Sequence, residues 1–203
     1  MLKPFLVLVG LISFSVSAAE WAPGNAAPDF NLKDSGGHSH TLSSQKGKWV
    51  VLEWLNHGCP FVRKHYDSGN MQALQKKYTG KGVVWFSIVS SEPGKQGSLD
   101  HAATKEAAKG NKVPPAPTAV LLDPEGTVGH LYGALTTPHM FVIDPQGKFA
   151  YLGAIDDKPT TDVADIEHSK NYVAAALNAG MSRQAITVSA TKAYGCSVKY
   201  KNK

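Results

Sequence analysis

The 203-residue chain is 42% hydrophobic, which suits one globular domain with a core of its own. Charged residues make up 18% and aromatics 9%, and this balance excludes disordered and fibrous classes. The formal charge is +5, yet Lys and Arg are scattered. The one dense cluster, Lys199, Lys201 and Lys203, has no aromatic stripe, so no nucleic-acid partner is expected.

Lys3 opens the chain, Phe5 to Val16 is an apolar run, and the small residues Ser17, Ala18 and Ala19 precede Glu20. Charge, apolar core and small-residue cleavage site are the order of a signal peptide. The expectation is a leader over 1–19 and one domain over 20–203, secreted across the inner membrane and periplasmic. No later apolar run reaches the ~18 residues of a membrane span, so no stable membrane insertion is expected.

Trp21 to Gly37 reads as a short extended segment ending in a turn. Trp49 to Leu55 is almost continuously apolar, broken by Glu53, as in a central strand covered on both faces. A helix is expected from Cys59-Pro60, since Pro is tolerated in a first helical turn. Asp67 to Asn70 interrupts it, and Met71, Leu74 and Tyr78 resume at helical spacing. Val83 to Val89 reads as a second buried strand, Leu99 to Lys109 as a surface helix, and Thr118 to Leu122 as a third strand. Asp123-Pro124-Glu125-Gly126 and Asp144-Pro145-Gln146-Gly147 have type I turn composition. The second turn should join Met140–Ile143 to Lys148–Leu152 as a hairpin. A polar loop carrying Asp156, Asp157, Asp162 and Asp165 leads to a helix from about Lys170 to Ala179. This order fits an α/β domain, a central mixed sheet flanked by helices on both faces.

Two cysteines, Cys59 and Cys196, remain after the leader. Outside the cytoplasm such a pair reads most simply as a structural disulfide, worth about 5 kcal/mol for so long a loop. The position of Cys59 suggests more. At a strand-to-helix junction, backbone N–H groups and the helix dipole favour the thiolate, the nucleophile of disulfide exchange and of attack on peroxide. Arg63, Lys64 and His65 would add positive charge if they faced the sulfur. Glu53 could exchange a proton with the thiol if buried; on an edge strand it would point at water. Thr137-Pro138 enters a strand, where Pro removes a ladder donor. A trans bend is the ordinary reading; a cis bond would expose a backbone edge able to hold an extended peptide or thiol substrate beside the cysteine.

The strand–Cys-Pro–helix junction, the later Thr-Pro and the closing hairpin together resemble the thioredoxin fold. Ala27-Pro28-Asp29-Phe30-Asn31-Leu32 resembles its redoxin branch of peroxiredoxins and exported thiol-disulfide reductases. The blocks Cys59-Pro-Phe-Val-Arg-Lys-His-Tyr66 and Gly195-Cys-Ser-Val-Lys-Tyr200 resemble its peroxiredoxin-like subgroup. The resemblance spans roughly residues 25–200. It implies a redox role for Cys59, a buried acid at Glu53 and a cis-proline at Pro138 beside Thr137. Two departures accompany it. Val62 stands where thioredoxins carry a second cysteine, and Asn56 and Leu52 replace the peroxiredoxin Thr and Pro.

Three functions follow as expectations. The first is thiol-disulfide exchange without a cofactor, Cys59 attacking and Cys196 resolving, with a thiol or disulfide protein partner. The second is a thiol peroxidase in which Cys59 forms a sulfenic acid and Cys196 condenses with it. The third is copper or zinc binding without turnover, using Cys59 with His57, His65 and His139. His38 and His40 sit in a polar loop and read as solvated.

Overall fold

A computed structural model describes residues 21–99 and 115–201. The expected leader and all but Leu99 of the expected Leu99–Lys109 helix lie outside them. Nine strands are described: β1 (Asn31–Asp34), β2 (Ser39–Thr41), β3 (Val50–Trp54), β4 (Val84–Val89), β5 (Ala119–Leu122), β6 (Thr136–Thr137), β7 (His139–Ile143), β8 (Phe149–Gly153) and β9 (Cys196–Ser197). Four α-helices accompany them: α1 (Pro60–Asp67), α2 (Asn70–Thr79), α3 (Thr127–Tyr132) and α4 (Tyr172–Met181).

Seven strands form one mixed sheet in the order β2-β1-β5-β4-β3-β7-β8. The apolar run at β3 takes its centre, parallel to β4 and antiparallel to β7, and all five of its residues are buried. Alternation along β3 sorts the core into two layers. Val51 and Leu55 pack with Val62, Met71, Tyr78 and Leu177 beneath α1, α2 and α4. Val50, Leu52 and Trp54 pack on the opposite face with Phe86, Phe141, Phe149 and Tyr132 of α3. Helices therefore cover both faces, as the element order predicts.

The strand expectations hold to within a residue or two, and the hairpin closes through Gly147 N–H to Asp144 C=O at 2.9 Å. The α1–α2 break falls at Ser68-Gly69, where Gly69 adopts φ +79°. Helix α3 is absent from the sequence reading. Its six residues include Gly129 and carry too little periodicity to register. The Asp123–Gly126 turn starts it instead, with the Asp123 carboxylate accepting from Val128 N–H at 3.3 Å and Gly129 N–H at 2.9 Å.

Two further departures position the site. The Thr137-Pro138 bond is cis, against the ordinary trans reading and in line with the resemblance. After α4 the chain runs along β8, with Thr191 N–H donating to Leu152 C=O at 3.1 Å, and then crosses to pair β9 with β6.

Candidate active site

Cys59 is the N-cap residue of α1 and Pro60 follows at its first position. The Cys59 carbonyl accepts from Val62 N–H at 3.0 Å and Arg63 N–H at 2.9 Å, which turns the chain out of β3 and into the helix. The preceding turn is held from inside. Buried Asn56 accepts from Gly58 N–H at 2.8 Å through its side chain and donates to the Gln96 carbonyl at 3.3 Å. The Gln96 amide in turn donates to Gly58 C=O at 3.1 Å. Only glycine fits at 97, at φ +80°, because a Cβ there would lie 2.2 Å from the Asn56 amide oxygen.

Cys59 has no solvent exposure. Its thiol reaches the carbonyl of Thr137, 3.1 Å from Sγ, on the residue before the cis-proline. Cys196 arrives from the other end of the chain, because the antiparallel register of β6 and β9 sets it opposite Thr137. Both cysteines are free thiols in hydrogen-bond contact with each other.

The pair is electrostatically ordered. Burial pushes the Cys59 thiol up, but hydrogen bonds from the Cys196 thiol, the Val62 and Cys196 backbone and Thr137 outweigh it, and the net direction is down. The Thr137 carbonyl, which accepts the thiol proton, is the contact working the other way. Cys196 moves oppositely, pushed up to about 11 by burial, by its hydrogen bond to Cys59 and by the negative charge on that sulfur, with Lys199 pulling back. Cys59 therefore ionises first and Cys196 keeps its proton.

The condition on which Arg63, Lys64 and His65 would add positive charge at the sulfur is not met. Arg63 pairs with Asp67 at 3.3 Å on the surface. Lys64 is buried away from the sulfur, donating to Lys158 C=O at 2.9 Å. Burial, countered by Asp156 and reinforced by Lys64, brings His65 down to about 4, so it is neutral. The thiolate is favoured by hydrogen bonds, not by cations.

Glu53 is fully buried in the central strand, which settles its two readings in favour of the interior. Its carboxylate accepts from Tyr66 O–H and Trp85 Nε1–H, both at 2.8 Å, from Ser87 O–H at 2.9 Å and from Gln75 Nε2–H at 3.1 Å. None of these donors is a cysteine. Burial nonetheless pushes Glu53 up against the pull of all four.

The imidazoles offered as metal ligands are engaged elsewhere. His57 meets the Tyr66 ring edge-on at 5.5 Å between centroids. His65 Nδ1 accepts from Asn70 Nδ2–H at 2.8 Å. His139 lies over Phe141 at 4.5 Å and its Nδ1 faces Leu135 N–H at 3.4 Å. Among the described residues no three His, Cys, Asp or Glu side chains converge to hold an ion. His38 is exposed as expected, but both His38 and His40 face Asp34, at 3.3 and 2.9 Å.

Sequence reasoning missed the anchor of Cys196. Asp156 is buried rather than part of a solvated acidic loop, and it accepts from Lys158 N–H at 3.0 Å and from the Tyr194 hydroxyl. Tyr194 also packs edge-on against Phe61 of α1, at 5.8 Å between centroids. The signal available was a lone Tyr two residues before Cys196; its partner 38 positions upstream carried none.

Comparison with known proteins bears on the family and the fold. Residues 23–152 match the AhpC/TSA family. The chain is 29% identical over 149 residues to thiol-disulfide oxidoreductase ResA of Bacillus subtilis, covering 70% of this chain and 76% of ResA. An uncharacterised conserved protein of Geobacillus kaustophilus superimposes with TM-score 0.69 at 25% identity, covering 91% of this chain and 95% of that one. A thiol:disulfide interchange protein DsbE of Chlorobium tepidum, itself assigned only provisionally, is 29% identical with TM-score 0.52, covering 66% of this chain and 85% of its own. The chain thus belongs to the AhpC/TSA family and is an oxidoreductase on a thioredoxin-like fold.

Proposed function

We propose that this protein is an exported thiol-disulfide oxidoreductase in which Cys59 is the nucleophile and Cys196 the resolving thiol. The observation that carries the reading is that the Cys59 thiol reaches the Thr137 carbonyl at 3.1 Å while strand pairing sets Cys196 opposite the same Thr137. The opposite directions in which the two thiols are shifted support it. The Cys59 thiolate attacks one sulfur of a substrate disulfide, a mixed disulfide forms, and the other substrate sulfur leaves as a thiolate and takes up a proton. Cys196 then loses its proton and attacks the Cys59 sulfur, expelling the second substrate thiol. The products are a Cys59–Cys196 disulfide and two substrate thiols; an external dithiol returns the protein to its reduced form and is itself oxidised. The charge, apolar run and small residues expected to form a leader over 1–19 support export to an oxidising compartment, where such exchange operates.

A peroxidase has less support. The residue that would replace the peroxide-orienting threonine is Asn56, whose amide is bonded to Gly58 and Gln96 rather than turned to the sulfur. The test is exchange with a small aromatic disulfide, read by mass spectrometry. Cys59→Ser should lose exchange, whereas Cys196→Ser should stop at a persistent mixed disulfide on Cys59. Full activity in Cys59→Ser, or oxidation of wild type by hydrogen peroxide thousands of times faster than a free thiol, would overturn the assignment.

A further inference from the structure

The Thr136–Thr137 edge beside Cys59 is the place where an extended polypeptide could pair with the site, because an open strand edge presents unpaired backbone groups. Here that edge is occupied. Strand β9 pairs with it antiparallel, Thr136 opposite Ser197 and Thr137 opposite Cys196. The approach is close enough that position 195 admits only glycine. Its φ is +134°, and a Cβ would fall 2.1 Å from the Thr137 carbonyl oxygen.

The segment is fastened on both sides of β9. Upstream, Tyr194 donates to buried Asp156 and packs on Phe61. Downstream, Val198 N–H donates to Leu135 C=O at 3.0 Å and Glu92 N–H donates to Lys199 C=O at 2.8 Å. The Tyr200 hydroxyl donates to Ala134 C=O at 2.7 Å while its ring stacks on His130 at 4.0 Å. Beneath this segment Cys59 is fully enclosed.

We propose that residues 194–200 are a built-in stand-in for a polypeptide substrate, filling the Thr136–Thr137 edge and keeping polypeptide disulfides from Cys59 until the segment lifts. Cys196 then occupies the place of a substrate cysteine, which is also why the internal disulfide can close. The inference rests on the oxidoreductase reading above and adds its regulation: an incoming polypeptide disulfide competes with the chain's own C-terminal strand, whereas a small disulfide needs only a slight opening.

The experiment uses the full chain in a Cys196→Ser background, which retains the strand but not the resolving thiol. Two probes are compared: a small aromatic disulfide, and an extended peptide whose single cysteine is activated as a thionitrobenzoate disulfide. Adding Gly195→Ala should raise the rate of peptide transfer to Cys59 on the order of tenfold or more, and the small-probe rate by much less. Tyr194→Phe, which loosens the segment without a steric insertion, should act in the same direction and guards against misfolding of the glycine variant. Peptide transfer that is already as fast as small-probe transfer, or that neither substitution accelerates, overturns the proposal while leaving the oxidoreductase reading intact. Failure of both probes to react in every folded variant overturns the oxidoreductase reading itself.

Discussion

The two cysteines sit in contact but are held by opposite kinds of structure. Cys59 is placed by its neighbours in sequence: β3 ends, Asn56 closes a turn, Pro60 starts α1, and the cysteine is fully buried at the N-terminus of that helix. Cys196 is placed by residues far away. Thr137 lies 59 positions upstream and Asp156 acts through Tyr194. Hydrogen bonds, most of them from Cys196 and Thr137 and one from the neighbouring Val62 backbone, ease the first thiol toward ionisation, while the second, on a segment docked from elsewhere, keeps its proton. Cys59 thus belongs to the strand–helix junction, and Cys196 to a segment docked onto it by long-range pairing.

The contrast breaks most severely at the scaffold. Glu53→Ala would leave Tyr66, Trp85, Ser87 and Gln75 without their shared acceptor. A loss of about 3 kcal/mol or more is expected, since each buried unsatisfied donor costs roughly 1–3 kcal/mol. Urea denaturation measures it. Glu53→Gln should recover much of the loss, because the hydroxyls of Tyr66 and Ser87 can rotate to accept as well as donate.

His139, beside the cis-proline, gives the next largest effect. Burial brings it down to about 4, below the ordinary histidine value near 6.5. The folded chain then binds fewer protons than the unfolded one between these values, so this residue's contribution is intact above pH ~6.5 and is lost as the pH falls toward ~4. Glu53 works in the opposite direction, since its raised pKa favours the folded state on acidification. The measurement is therefore a difference. From pH ~6.5 to ~4, wild type should lose roughly 3 kcal/mol more stability than His139→Gln. Parallel stability curves would show that His139 is not held neutral.

On the docked side, Tyr194→Phe removes one hydrogen bond to a carboxylate and should cost about 1.5–3 kcal/mol, the range for a bond to a charged group. Its sharper signature is kinetic. Mixed-disulfide formation on Cys59 should persist while closure to Cys196 slows, because only the second step needs the segment seated; rapid-quench mass spectrometry separates them. The smallest effect is electronic. Cys196→Ala removes a donor to the Cys59 thiolate, so Cys59 should titrate at higher pH by thiolate ultraviolet absorbance. Cys196→Ser should restore part of the difference through its hydroxyl, and no upward move in the Ala variant would show that the contact does not order the pair.

What was legible in the sequence divides along the same line. The central strands, both helices after Cys59 and the Asp144–Gly147 hairpin were readable because each writes its own local pattern of apolar spacing or turn chemistry. The roles of single polar residues were not. Glu53 read equally well as interior or exposed until Trp85, Ser87 and Tyr66 were seen around it. Asp156 read as one of four loop acids and proved to be the buried one. Whether Arg63 and Lys64 would face the sulfur was open in the sequence; a helix turns successive side chains in different directions, and theirs face Asp67 and the 156–160 loop.

By itself, then, the sequence determined an α/β sheet with a cysteine at a strand–helix junction, since strand burial, helix start and turn formation are dictated within a few residues of each other. Tertiary structure alone decided that Cys196 lies beside that cysteine, that the two thiols are shifted in opposite directions, and that the C-terminal strand pairs with the Thr136–Thr137 edge. These depend on backbone pairing and side-chain contacts between positions dozens of residues apart. No local period records them, and the free energy that selects them exists only once the whole chain is packed.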